Sequence, residues 1–165
     1  MKRILLSLLP ILPFIAFAQH DPACFVEKDF LIIHSTKNYK SALTIAQKAA
    51  KTLNIKLNLR GLLPISDTTL GLSEPIDTCL KYSEEYGGVD STCYLARGRW
   101  DDGIYISIEF SNAYNSFARG YYIVMVGSAS KKEKNVDLAP TLKKIKVNYP
   151  EAYIKTSKVY LCCMH

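Results

Sequence analysis

The chain has 165 residues, 48% of them hydrophobic and 22% charged, and a formal charge of +6. A basic excess of that size, with no dense Lys/Arg block and no recognition motif, argues against nucleic acid. It fits an anionic surface, polymer or partner instead.

The first residues predict export. Lys2 and Arg3 form a charged start, Ile4 to Phe14 is an almost unbroken apolar run, and Ala16-Phe17-Ala18 is an A-x-A cleavage site before Gln19. Residues 1–18 therefore read as a signal peptide. The apolar run is short for a membrane span and is interrupted by Pro10 and Pro13, so no transmembrane anchor is expected in the mature chain. Removing Lys2 and Arg3 lowers the formal charge from +6 to +4. What remains, 19–165, is long enough for one domain with a core, expected in the periplasm or outside the cell.

All five cysteines lie in that mature part, and an exported chain favours disulfides. Cys79 and Cys93 flank a polar, glycine-containing segment that a bridge would tie down. Cys24 at one end and Cys162 or Cys163 at the other suggest a second bridge that fastens the termini. Zinc is disfavoured, because there is no C-x₂-C pair and His20, one of three histidines, sits beside the cleavage site. No cofactor is implied.

In chain order, Phe30–Ile33 reads as a buried strand, and Ser35 or Thr36 as the N-cap of a helix from about Asn38 to Leu53. Tyr39, Leu43, Ala46, Ala50 and Leu53 give that helix one apolar stripe. Ile55, Leu57 and Leu59 alternate with polar residues, which predicts a strand after it. From 61 to 91 the pattern fails, punctuated by Pro64, Gly71, Pro75, Gly87 and Gly88, and the segment reads as a long loop or insertion between two halves.

Cys93–Arg99 suggests another strand, and Asp101-Asp102-Gly103 a turn into Ile104–Phe110. In that run Ile104, Ile106, Ile108 and Phe110 take one face, and Tyr105, Ser107 and Glu109 the other, which is expected to be exposed. Tyr121–Gly127 is more continuously apolar, as suits a central strand. Asp137 can cap a short helix whose third residue is Pro140, tolerated that early because its missing N–H would be unpaired anyway. Ala152–Leu161 closes the chain as a strand with its lysines toward solvent.

The order strand, helix, strand thus occurs twice, at Phe30–Leu59 and at Tyr121–Leu161, a similarity of pattern more than of identity. The fold class is α+β: an antiparallel sheet with two helices on one face, in a ferredoxin-like arrangement. YYIVMVGSASKKEKNVDLAPTLKKIKVNYPEAYIKTSKVYLC, residues 121–162, resembles a SPOR domain through its Y-x-V-x-V-G-S-like opening strand, its helix and its closing strand. The same resemblance extends more faintly over 30–59. It implies a ferredoxin-like sandwich that binds peptidoglycan glycan strands on its sheet face.

Candidate chemistry centres on 94–122. Asp101, Asp102 and Glu109 are the tempting carboxylates, yet Asp-Asp-Gly is also what a hairpin turn needs, and no nucleophile elbow surrounds Ser107. A catalytic role is not expected. Arg97, Arg99, Trp100, Tyr105, Glu109 and Tyr122 are better suited to binding, because flat rings with a polar edge and guanidinium forks fit sugars and protein interfaces alike. The expected function is a non-enzymatic, exported binding protein of the bacterial cell envelope. It would contact peptidoglycan glycan strands or an envelope protein. The alternative is a periplasmic inhibitor or immunity protein directed at a secreted toxin or cell-wall hydrolase.

Overall fold

The computed structural model describes residues 24–67, 69–86, 92–99, 101–131 and 136–161. The expected leader 1–18, Trp100 and Cys162 lie outside the described residues. Cys24 is disulfide-bonded.

Strand β1 (Phe25–Thr36) leads into helix α1 (Tyr39–Leu53). Because β1 runs on through Thr36, the expected cap at Ser35 or Thr36 gives way to Asn38, whose side chain accepts from the Ser41 amide. Ala42, Ala46 and Ala49 are the fully buried line of α1, and their small side chains let it lie close on the sheet. Tyr39, Leu43, Ala50 and Leu53 flank that line half-buried. Helix α3 (Leu138–Ile145) is capped by Asp137, which accepts from the Ala139 amide at 2.9 Å. It joins α1 on the same face of the sheet, over Leu31, Ile33, Ile106, Ile108, Val124 and Val126.

The sheet holds β4 (Gly103–Phe110), β5 (Tyr122–Ser130), β1 and β6 (Tyr153–Tyr160), in that spatial order and antiparallel throughout. With α1 after β1 and α3 after β5, this is an α+β, ferredoxin-like arrangement. Its departure from the plain pattern is an insertion between α1 and β4. The strand expected at Ile55–Leu59 reduces to one parallel bridge, Leu57 to Ile106, before the chain turns away. Arg60 makes that turn at φ 60°, with its amide bonded to Asn58 Oδ1 at 3.0 Å.

The insertion is not the structureless loop its sequence suggests. It forms a two-residue hairpin, β2 (Leu63–Pro64) with β3 (Leu72–Ser73), and then helix α2 (Ile76–Tyr86). Pro75 precedes the first turn, a position where its missing N–H costs nothing, and Asp77 lies within that turn. Cys79 of α2 is bridged to Cys93, with the Cα atoms 5.4 Å apart. The strand expected at Cys93–Arg99 does not form either. That segment crosses the sheet face opposite the helices, where its polar groups bond to side chains below it instead of to a ladder. Gly98 permits the crossing: it sits at φ 84°, and a Cβ there would stand 2.9 Å from the Phe30 ring.

A second core therefore lies on the face away from α1 and α3. It gathers Phe30, Ile32, Ile123, Met125 and Val159 from the sheet under Tyr114 and Phe117 from the β4–β5 connection. Phe30 meets the Tyr114 ring edge-on at 5.0 Å. Among the described residues no helix is long and apolar enough to cross a membrane.

The Cys79–Cys93 bridge closes a loop with a sequence separation of 14, and a loop of that size implies a stabilisation of about 3 kcal/mol. Replacing both cysteines with serine is expected to lower the unfolding free energy by that amount in a urea titration. A loss below about 0.5 kcal/mol would mean that the side-chain contacts alone hold the crossing segment down.

Candidate functional site

The crossing segment is fixed by one carboxylate. Glu109 projects from β4 on the face away from the helices, beside Ile123 of β5, and is fully buried. Arg60 Nη1 donates to both of its oxygens, at 3.1 and 3.0 Å, and Arg60 Nη2 donates to the Leu95 carbonyl. The Tyr94 hydroxyl donates to Oε2 at 2.7 Å and accepts from the Phe110 amide. The Arg97 amide donates at 3.2 Å, and the Tyr114 hydroxyl lies 3.3 Å from both Oε2 and the Arg97 carbonyl. Strand β4 is thus buried on both faces at this level. The exposed polar face expected for Ser107 and Glu109 is absent because 94–99 lies over it.

Arg97 is itself fully buried. Among the described residues its guanidinium bonds to carbonyl and hydroxyl oxygens: Nη1 donates to the Tyr105 carbonyl at 2.8 Å and to Ser107 Oγ at 3.0 Å, and Nη2 to the Gly103 carbonyl at 3.0 Å. Its guanidinium carbon lies 3.5 Å from the centre of the Tyr105 ring. Burial pulls the Arg97 pKa down from its usual value. The Tyr105 hydroxyl donates to Asp101, and Asp101 also accepts from the Gly98 amide. Asp102 pairs with the buried Lys28 at 2.9 Å and accepts from the Ser130 amide. Asp101, Asp102 and Glu109 are all engaged by internal partners.

Of the residues expected to form a contact surface, Arg97, Tyr105 and Glu109 do come together, but Arg97 and Glu109 are fully buried and only Tyr105 stays half-exposed. Tyr122 stands apart, packed on Tyr39 and Phe110 with its hydroxyl on the Gly71 carbonyl. Arg99 lines a separate, mostly apolar cleft of about 190 Å³ with Tyr82, Cys93 and Leu95. Arg60 carries no motif, and its role was invisible in the sequence. The only available signal was an arginine closing an otherwise alternating run.

Among the described residues the cover ends beyond Tyr114, and a strip of the sheet face stays open. A groove of about 120 Å³ runs there among Ser35, Phe117, Tyr121, Tyr153 and Lys155. β6 supplies two walls. Tyr153 and Lys155 lie opposite Ile32 and Phe30 of β1, and so rise on the same face as those residues. Tyr153 is 45% exposed, and burial of the remainder raises its phenol pKa. The Lys155 ammonium sits 5.1 Å from the Phe117 ring centre, and Lys37 sits 5.5 Å from that of Tyr121. The Ser116 hydroxyl donates to the Thr156 carbonyl at 2.7 Å and pins the turn carrying Phe117 against β6. Lys155 is therefore half-buried and does not simply point to solvent as expected for this strand, whereas Lys158 is exposed. The alternation of Tyr153, Lys155 and Ser157 was the readable clue.

Burial, and then the neighbouring Glu109 charge, push the Tyr94 and Tyr114 phenols well above their ordinary pKa. In the unfolded chain these groups ionise near pH ~10. An acid whose folded pKa is raised contributes in full below the unfolded value, and its contribution is lost as the pH climbs past that value. Stability is thus expected to hold up to about pH 10 and then fall. The decline should be shallower in the Tyr94→Phe, Tyr114→Phe double variant. Denaturant titrations across that range check this, and an identical alkaline slope in both proteins would contradict it.

No family model matches the chain, and comparison with curated proteins and with solved structures likewise returns no match.

Proposed function

We propose that the chain is a non-enzymatic, exported binding protein of the bacterial cell envelope that holds peptidoglycan glycan strands in the open groove of its sheet face. The observation that carries this reading is the exposed Tyr153 ring beside Tyr121, Phe117 and Lys155 on the face opposite the helices. Aromatic planes flanked by hydroxyl and ammonium donors suit a pyranose, which offers one apolar C–H face and a polar rim. The ferredoxin-like sheet and the resemblance of 121–162 to a SPOR domain favour the same ligand. An intrachain disulfide fits an oxidising compartment.

One observation favours the inhibitor or immunity reading. The disulfide-braced insertion exposes Leu63, Ile76, Leu80 and Tyr82, and Tyr82 also lines the cleft at Arg99. Such residues are common anchors in protein interfaces.

Co-sedimentation with purified sacculi separates the two. The native chain is expected to pellet at low salt, and Tyr153→Ala to weaken binding by about 1 kcal/mol, roughly fivefold in affinity. Leu80→Asp is expected to leave sedimentation unchanged. Failure of the native chain to pellet would remove the glycan reading and leave the insertion as the binding surface.

A further inference from the structure

We propose that the outer surface of α1 and α3 docks on an anionic phospholipid membrane surface. This concerns the side of the molecule opposite the groove and does not depend on what the groove holds.

The charges of the chain are segregated. No Asp or Glu occurs from Phe30 to Ser66, nor from Leu138 to Pro150, the stretches that contain the two helices. α1 carries Lys40, Lys48 and Lys51, with Lys56 just beyond it. α3 carries Lys143 and Lys144, with Lys146 at its C-cap. All seven are exposed. They outnumber the formal charge of +4 left once the expected leader is removed, so the rest of that chain is net acidic. The acids that border the layer in sequence are Asp137, whose carboxylate caps α3, and Glu151 beyond its end.

Ordinary helix electrostatics does not account for the pattern. A helix dipole favours an acid in the first turn and a base in the last. α2 follows the first part of that rule with Asp77, and Lys51, Lys143 and Lys144 follow the second. Lys40 breaks it, standing in the first turn of α1, which holds no acid. Lys40, Thr44, Lys48 and Lys51 also recur at spacings of four, four and three, on the side of α1 away from the buried Ala42, Ala46 and Ala49. Lys48 and Lys51 are like charges three residues apart, as are Lys143 and Lys146. Such pairs destabilise a helix unless an anion lies over them.

Val147 distinguishes a membrane from a soluble polyanion. It follows Lys146 directly, is 81% exposed, and is the most exposed large apolar side chain among the described residues. An apolar side chain beside lysines enters the boundary between headgroups and acyl chains while the ammonium groups stay at the phosphates. Each lysine held near an anionic leaflet adds an attraction that salt screens. Since α1 and α3 share one sheet face, the docked protein turns its other face, with the groove at Tyr153, away from the bilayer.

Vesicle flotation of the mature chain tests this. Vesicles of phosphatidylcholine alone are compared with vesicles holding about 30% phosphatidylglycerol, and soluble polyphosphate serves as a competitor without lipid. The native chain is expected to float with the anionic vesicles and not with the neutral ones, and to be released at about 0.5 M salt. The Lys40→Gln, Lys48→Gln, Lys51→Gln triple variant keeps helix propensity and is expected to bind on the order of a hundredfold more weakly. Val147→Ser is expected to weaken binding about tenfold. Absence of flotation with anionic vesicles, or equal flotation with neutral ones, would overturn the proposal. So would unchanged flotation of the triple variant with its urea unfolding midpoint intact. Flotation that Val147→Ser leaves unaltered, and that polyphosphate abolishes at equal charge, would replace the membrane with a soluble polyanion. The vesicles hold no glycan, so none of these results bears on the groove.

Discussion

The fold turns on a single buried charge. Glu109 has no exposed surface, and an unpaired carboxylate in that position would be unaffordable. Its two oxygens are bonded by Arg60 from the end of the α1 connection, by Tyr94 and the Arg97 amide from the crossing segment, and approached by Tyr114 from the β4–β5 turn. Stretches far apart in sequence thus meet at one acceptor. Such a cluster is expected to give specificity more than net stability, since the desolvation of Arg60 and Glu109 offsets much of their attraction. Its loss is nonetheless costly, because removing one partner leaves the other buried and charged, a penalty of about 3–5 kcal/mol.

That constraint decides which surface is available. In a plain ferredoxin-like sandwich the helices cover one sheet face and leave the other open. Here α1, through Ala42, Ala46 and Ala49, and α3, through Leu138 and Ile145, cover the first face in that way. On the second face, the segment locked to Glu109 and the turn carrying Tyr114 and Phe117 cover β4, β5 and part of β1. The remaining strip lies along β6 and the end of β1, and it concentrates Tyr121, Tyr153 and Lys155. The disulfide at Cys79–Cys93 anchors the other end of the crossing segment to α2, so the cover is held at both ends.

How much of this could be read in advance depended on the range of the interactions. Local and periodic features were legible: the β5 core strand, the Asp137 cap with Pro140 behind it, the β1-α1 unit, and the Cys79–Cys93 pair. What was not legible depended on contacts distant in sequence. The alternation of Tyr105, Ser107 and Glu109 was a correct statement about β4, but nothing local could say that residues 94–99 would fold over that side. Arg97 and Arg99 sit two residues apart and looked equivalent, yet one fills the interior and the other lines a surface cleft. The strand expected at Ile55–Leu59 had the right pattern, and it yields because Arg60 is drawn inward to Glu109. The pattern of 152–161 puts Tyr153 and Lys155 on the closing strand, but their value as a site emerges only when β6 is placed beside Phe117.

Amide hydrogen exchange at Arg97 tests the closed face most directly. That amide donates to Glu109 beneath a segment with no ladder of its own, so its protection reports the lock and nothing else. Exchange as slow as that of the β4 and β5 core amides is the expected result, with protection lost in Glu109→Gln. Exchange of the native Arg97 amide at the rate of an unstructured peptide would mean that the face is open and that Arg97, Tyr105 and Glu109 are contact residues after all.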